Sequence, residues 1–281
     1  MRGPRALLAP LIVVLVVLCL TWLVQDGIES AHGDAVFTVD PSRIALDAVP
    51  EWAPLGWTAE LEALLEQIRP FSLHDEDSLA AVRERIAGLP WVAEVALPVR
   101  SFPRTVAFEV RARRPAAVAL HLGGVWPLDA HGVLLPGGGT GMPLAEFQGL
   151  PALAGGRVPF LARPRDGVLW QDGRLLDGIE VVGLLSGLVS ERRLLLEAVD
   201  VSEASRQSSP DHPGLVVRCR RSGDGGPVVL LWGRSDRRQA FGERSGAAKV
   251  RSLEEVLAGD PGLRGIVSVD LRFDRAVVER S

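Results

Sequence analysis

The fold of this chain is decided by residues 91–113, WVAEVALPVRSFPRTVAFEVRAR, which alternate between apolar and other residues on both sides of Phe102-Pro103. A period of two is typical of strands that bury one face. The first strand is predicted to bury Trp91, Ala93, Val95, Leu97 and Val99, and the second Val106, Phe108, Val110 and Ala112. The stretch therefore predicts two half-buried strands joined by a short turn.

Helical spacing precedes these strands. Two stretches place apolar residues three or four apart, namely Trp57, Leu61, Leu64, Leu65 and Ile68, and then Leu79, Val82, Ile86 and Leu89. A further strand is predicted within residues 36–46. The order strand, helix, helix, strand, strand predicts a small sheet with both helices on one face.

An acidic cluster opens the second predicted helix. Asp75, Glu76 and Asp77 follow directly after His74, and Ser72 precedes it. Oxygen acceptors and negative charge at a helix start satisfy free amides and the helix dipole. A metal site built from His74 and these acids is the alternative, but capping explains the same residues.

The remainder predicts a mixed β-domain with helices packed on its sheet. Strand hairpins are predicted within residues 125–136, at 215–219 with 228–232, and at 267–273 with 276–279. Helical spacing recurs at 174–192 and again through Val250, Leu253 and Leu257. Because no residue follows Ser281 in this sequence, the final strand is expected to leave one edge uncovered.

The N-terminus predicts a membrane segment. The run from Ala6 to Val24 has 19 residues and no charge, and Arg2 and Arg5 precede it. Such a run is long enough to span a bilayer, with the basic end in the cytoplasm. A cleaved signal peptide is the alternative, and both interpretations export the remaining chain.

The predicted fold class is α+β: a transmembrane helix, a β-α-α-β-β module, and a mixed β-domain. At 281 residues and 47 percent hydrophobic, the chain is large enough for about two domains. The predicted boundaries are 1–5 for a cytoplasmic tail, 6–24 for the transmembrane helix, 25–35 for a linker, 36–115 for the first domain and 116–281 for the second.

Composition and motifs disfavour several functions. A net charge of −4 provides no global positive field for nucleic acid, and two cysteines build no metal cage. The glycines at 137–141 are followed by Met142 and Pro143 instead of a phosphate-loop lysine. No Gly-x-Ser-x-Gly nucleophile turn occurs. The sequence therefore predicts no catalytic, cofactor or metal site and no small-molecule substrate.

A family resemblance rests on the order of several short motifs. They are Leu89-Pro90-Trp91-Val92, Phe102-Pro103, Arg114-Pro115, the segment Leu128-Asp129-Ala130-His131-Gly132-Val133, the turn Leu150-Pro151-Ala152-Leu153, Gly233-Arg234 before a helix carrying Lys249, and Val269-Asp270-Leu271-Arg272-Phe273-Asp274. Together they resemble the bacterial cell-division family FtsQ/DivIB, from the N-terminal segment to about residue 280. The loop at 202–213 departs from the family pattern as an insertion.

The resemblance implies a POTRA module followed by the family's β-domain in a single-pass protein of the inner membrane, facing the periplasm at the division septum. It implies a non-enzymatic divisome scaffold that binds FtsB-like and FtsL-like proteins and helps recruit or regulate septal peptidoglycan synthesis. Other divisome proteins would bind through the POTRA module. The alternative is a membrane-anchored POTRA docking or chaperone-like module for exported polypeptides.

The partner site is predicted at the terminal hairpin. An uncovered edge strand can accept a partner segment as an added strand. Phe273 is predicted to be an apolar anchor, and arginines are predicted to pair with carboxylates of the partner. The candidate partner-binding residues are Arg234, Arg272, Phe273, Asp274, Arg275, Ala276 and Val277.

Overall fold

The computed structural model describes residues 14, 16–25, 35–47, 55–147, 149–156, 158–191, 194–204, 212–221, 225–239 and 243–281. Three predicted segments lie partly outside the described residues: most of the linker at 25–35, the centre of the loop at 202–213, and residues 222–224 between the strands predicted at 215–219 and 228–232. The chain divides into two compact units, Met1–Ala112 and Arg113–Ser281.

The predicted transmembrane helix from Ala6 to Val24 is wrong. Within the part of the chain that the structure describes, no helix combines the length and apolar character needed to cross a membrane. The described residues of this stretch, 14 and 16–25, are helical. Residues 6–13 and 15 of the predicted segment lie outside the described residues.

Besides the helical residues 14 and 16–25, the described part of unit 1 is a small sheet with two helices and a separate pair of short strands. Its elements are β1 (Thr38–Val39), β2 (Ile44–Asp47), α1 (Leu55–Glu66), β3 (Phe71–Ser72), α2 (Glu76–Ala87), β4 (Val92–Val95), β5 (Val99–Ser101) and β6 (Thr105–Ala112). Strand β6 is central: it runs parallel to β2 and antiparallel to β4 and β5. Strands β1 and β3 form a separate antiparallel pair.

The core of unit 1 forms where the sequence alternation is regular. Trp91 and Phe108 are fully buried, and the Trp91 ring stacks on that of Trp57 with centroids 5.4 Å apart. The buried face predicted for β6 is confirmed at Val106, Phe108 and Val110. Asp75 caps α2 by accepting the N–H of Ser78, as the capping interpretation predicted.

The face predicted for the preceding strand is only partly right. Trp91 and Val95 are buried, but Leu97 and Val99 are 75% and 64% exposed, and Ala93 is also exposed. The pairing with β6 shifts between Val92 and Glu94, beside the exposed Ala93, and shifts again between β4 and β5, where Val95 lies opposite Val110 but Val99 lies opposite Ala107. A shift of one residue moves the following side chains to the other face of a sheet.

Unit 2 is built on a nine-stranded sheet. Its elements are β7 (Pro115–His121), β8 (Gly124–Asp129), β9 (Gly139–Thr140), β10 (Ala152–Ala154), α3 (Gly173–Ser190), β11 (Leu194–Asp200), β12 (Leu215–Arg221), β13 (Pro227–Gly233), α4 (Gly246–Gly259), β14 (Ile266–Asp270) and β15 (Val277–Arg280). The strand order across the sheet is β15-β14-β13-β12-β11-β10-β7-β8-β9.

The core of unit 2 lies between this sheet and its helices. Helix α3 contacts β7, β10 and β11 and packs beside α4. Alternate residues of β12, namely Leu215, Val217 and Cys219, belong to the buried cluster that also holds apolar residues of both helices. Arg218 and Arg220 of the same strand are exposed. The sheet therefore buries one face of β12 and presents the other to solvent.

Candidate partner-binding edge

Strand β15 is the outermost strand at one side of the nine-stranded sheet. It pairs antiparallel with β14, and among the described residues no second strand pairs with it. Val278 lies opposite Val269, and Val277 lies opposite Asp270. The opposite side of β15 is thus a sheet edge, where main-chain donors and acceptors are not used within the described part of the chain.

The direction of the main-chain groups follows from one hydrogen bond. The Ser281 N–H donates to the Gly265 carbonyl at 2.8 Å, toward the β14 side. Because successive residues of a strand direct their N–H and C=O groups to opposite sides, Glu279 and Val277 also face β14. Val278 and Arg280 therefore direct their N–H and C=O groups outward, away from the sheet.

Exposed apolar side chains surround this edge. Phe273 is 53% exposed and Val277 is 55% exposed, whereas Ala276 and Val278 pack against the core of unit 2. Val267 of β14 is also exposed. The alternation along β15 thus anchors the strand through Val278 and presents Val277 to solvent beside the turn that carries Phe273.

Arg272 is engaged within the chain. Its guanidinium makes a bidentate contact with Asp270, with Nε 2.9 Å from Oδ1 and Nη2 2.6 Å from Oδ2. Hydrogen bonding to Asp270 raises the pKa of Arg272. Only 12% of its side chain is exposed, and its guanidinium lies 5.6 Å from the Phe273 ring centre. The structure thus gives Arg272 an internal carboxylate and a place beside Phe273.

Arg234 lies close to the same turn, at the end of β13. The parallel pairing of β13 with β14 places Leu231 opposite Asp270. A Cβ built on Gly233 would lie 3.1 Å from the Arg272 Cγ, so the Arg272 stem packs against this glycine. The Arg234 side chain is 20% exposed, and its Nε is 3.8 Å from Glu243 Oε2. Arg234 and Arg272 therefore occupy neighbouring strand ends, each beside its own acid.

The other predicted residues of the site lie in or beside the turn. Asp274 and Arg275 are exposed, and Ala276 is half-buried immediately before β15. The structure therefore brings all seven predicted residues to the ends of β13, β14 and β15, although Arg234 and Arg272 use their charges on acids of this chain.

The sequence motifs included Lys249, but they did not predict that this residue supports the site from beneath. Lys249 is fully buried, and its Nζ donates to the Arg234 carbonyl at 2.8 Å and lies 3.6 Å from Glu243 Oε1. Burial lowers the pKa of Lys249, and the Glu243 carboxylate partly offsets that effect. One signal was visible: Lys249 precedes Leu253 by four residues and so lies on the apolar face of its helix.

Among the described residues, no group of three His, Cys, Asp or Glu side chains is placed to hold a metal ion. Comparison of the chain with known protein families and with curated proteins finds no match. At this edge, main-chain hydrogen-bonding groups lie beside apolar and cationic side chains. Proteins that bind a peptide as an added strand use groups of these kinds.

Proposed function

We propose that this protein is a non-enzymatic scaffold of bacterial cell division that captures a small FtsB-like partner at the edge of β15, together with its FtsL-like companion. The observation that carries the proposal is the outward edge of β15 beside exposed Phe273 and Val277. The order of motifs that resembles the FtsQ/DivIB family supports the same function.

Main-chain bonding alone is too weak to hold a partner. Val278 and Arg280 together offer two donors and two acceptors, and each hydrogen bond contributes about 0.5 to 1.5 kcal/mol net. Four such bonds give about 2 to 6 kcal/mol, whereas micromolar affinity requires about 8 kcal/mol before the costs of association. Side-chain contacts must supply the difference.

Phe273 and Val277 are placed to supply the remaining binding free energy. Both are more than half exposed; Val277 directly precedes Val278 in β15, and Phe273 lies in the turn that leads into this strand. Burying a large apolar side chain contributes about 1.5 to 3 kcal/mol. A partner strand with apolar residues facing these two side chains would therefore gain both affinity and register from them.

The proposal extends to location and to unit 1. We propose that the protein acts at the division septum, on the outer side of the cytoplasmic membrane, and that it helps recruit or regulate septal peptidoglycan synthesis. Unit 1, in which α1 and α2 lie between β2 and β4 along the chain, serves further division proteins as the POTRA module of this family does. Depletion of the protein should then give filamentous cells with unfinished septa.

The test is capture of the purified exported part of the FtsB-like protein from the same organism, measured by biolayer interferometry. Arg280→Pro removes an outward N–H without removing a bond to β14, because proline is tolerated where a strand edge faces solvent. Arg280→Ala is the matched control, because it loses the same charge but keeps the N–H.

We expect Arg280→Pro to weaken capture and Arg280→Ala to leave most of it. Phe273→Ala should also weaken capture, whereas Leu195→Ala, which truncates an exposed residue of β11 in the same sheet, should not. If Arg280→Pro and Phe273→Ala both bind at the affinity of the unaltered protein, the partner does not use this edge.

A further inference from the structure

The turn that carries Phe273 has few ties to the sheet. It spans residues 271–276, between the paired parts of β14 and β15. At its start, the Leu271 N–H donates to the Leu231 carbonyl at 3.0 Å, and Leu271 is buried. Beyond Arg272 and its contact with Asp270, the next residues are exposed. The position of Phe273 therefore depends on what holds the middle of the turn.

Arg244 makes that contact. Its Nη1 donates to the Phe273 carbonyl at 2.8 Å, and its Nη2 donates to the Ala248 carbonyl at 3.0 Å. Ala248 belongs to the first turn of α4. One half-buried guanidinium thus bridges the main chain of the turn and the main chain of a core helix. Arginine suits this task because its fork presents several donors in fixed directions.

The position of Arg244 is itself fixed from both sides. Ser245 is the cap of α4, and its side chain accepts the Ala248 N–H. Glu243, on the other side, accepts the Arg234 N–H at 2.9 Å and lies 3.6 Å from the buried Nζ of Lys249. The residue that reaches Phe273 is therefore set between a helix cap and a buried ion pair.

We propose that Arg244 is a positioning residue for partner capture: it holds the turn at 271–276 in the conformation that presents Phe273 beside the outward edge of β15. The inference rests on the proposed function, because it concerns the same partner site. A turn that is already ordered before binding loses less conformational freedom when the partner arrives. Arg244 thus contributes to affinity without touching the partner.

The test compares three substitutions in the full chain. Arg244→Met keeps the unbranched stem but removes both donations, and Arg244→Lys keeps a cation that can reach one carbonyl. Arg251→Met is the matched control, because Arg251 is an exposed arginine on α4. Each protein is tested for capture of the FtsB-like protein, for amide hydrogen exchange across residues 271–276, and for its thermal midpoint.

We expect Arg244→Met to weaken capture about tenfold, the equivalent of one hydrogen bond from a charged donor. Exchange across 271–276 should accelerate in this variant, whereas exchange in β12 and β13 should stay unchanged. Arg244→Lys should recover part of the affinity, and Arg251→Met should behave as the unaltered protein. A merely structural role would lower the thermal midpoint and accelerate exchange throughout unit 2.

Two failures are distinguishable. If Phe273→Ala weakens capture but Arg244→Met does not, the partner site stands and the role of Arg244 is refuted. If neither substitution weakens capture, the proposed site fails, and the role of Arg244 fails with it. Unchanged exchange across 271–276 in Arg244→Met refutes the positioning role whatever the binding result.

Discussion

Replacing Lys249 by methionine tests the buried ion pair beneath the partner site. Methionine keeps a flexible stem of similar length against Trp232, whose ring lies 5.6 Å from the lysine Nζ, so little cavity forms. The variant loses a charged hydrogen bond to the Arg234 carbonyl, worth about 1.5 to 3 kcal/mol. It also leaves Glu243, whose side chain is 14% exposed, without its nearest cation.

These losses are partly offset, because an ammonium group no longer has to be buried and Arg234 remains 3.8 Å from Glu243. We expect Lys249→Met to lower the free energy of unfolding by about 2 to 4 kcal/mol. Adding Glu243→Gln removes the carboxylate charge that has lost Lys249, while its amide oxygen can still accept the Arg234 N–H. The double variant should therefore regain about 1 to 2 kcal/mol.

Urea unfolding followed by tryptophan fluorescence measures both values. A second readout is pH: burial lowers the pKa of Lys249, so between its folded and unfolded pKa values only the unfolded chain binds the proton. Stability contributed by this group therefore rises with pH across that interval, below about 10.5, and Lys249→Met should lose the rise. A single variant as stable as the parent, or a double variant less stable than the single one, would refute the reasoning.

Three further predictions concern the two cores and the turn beside Arg272. Burial lowers the pKa of His121, which is 7% exposed. Unit 2 should therefore lose stability as the pH falls from about 6.5 toward the folded-state pKa of this histidine. Urea unfolding at a series of pH values measures this loss, and His121→Phe should reduce it. Phe108→Ala should destabilise unit 1 by about 3 to 5 kcal/mol, whereas Arg111→Ala, which removes an exposed ion pair, should cost less than about 1 kcal/mol by calorimetry. Gly233 has a φ of +82°, and a Cβ there meets the Arg272 stem, so Gly233→Ala should lower the thermal midpoint by the equivalent of about 1 to 3 kcal/mol.

Periodicity predicted the parts of the fold where one face is buried without interruption. The residues around Phe108 alternate through eight positions and pair with β2 in a single register, so their buried face was readable from the sequence. The same rule failed at Leu97 and Val99 because a register shift and a break between β4 and β5 cannot be seen in an alternation. At the N-terminus, apolar composition predicted a spanning helix that the described residues do not provide.

At the candidate site too, the sequence predicted the local features and missed the long-range contacts. The terminal hairpin and the exposure of Phe273 followed from local pattern, and the structure places Phe273 at 53% exposure beside the edge. The contacts that support it join residues far apart in sequence. The bond from Arg244 to the Phe273 carbonyl spans 29 positions, and no local pattern encodes such a contact. Sequence patterns thus predicted the exposed terminal hairpin but not the residues that hold its turn in place.

The most direct test is residue-specific amide hydrogen exchange of β15, measured by NMR with and without the FtsB-like partner. Strand addition predicts that the outward N–H groups of Val278 and Arg280 gain protection on binding. Those of Val277 and Glu279, which already face β14, should change little. Capture at this edge would be contradicted if, at a saturating partner concentration, the Val278 and Arg280 amides stayed unprotected while amides elsewhere in the chain gained protection.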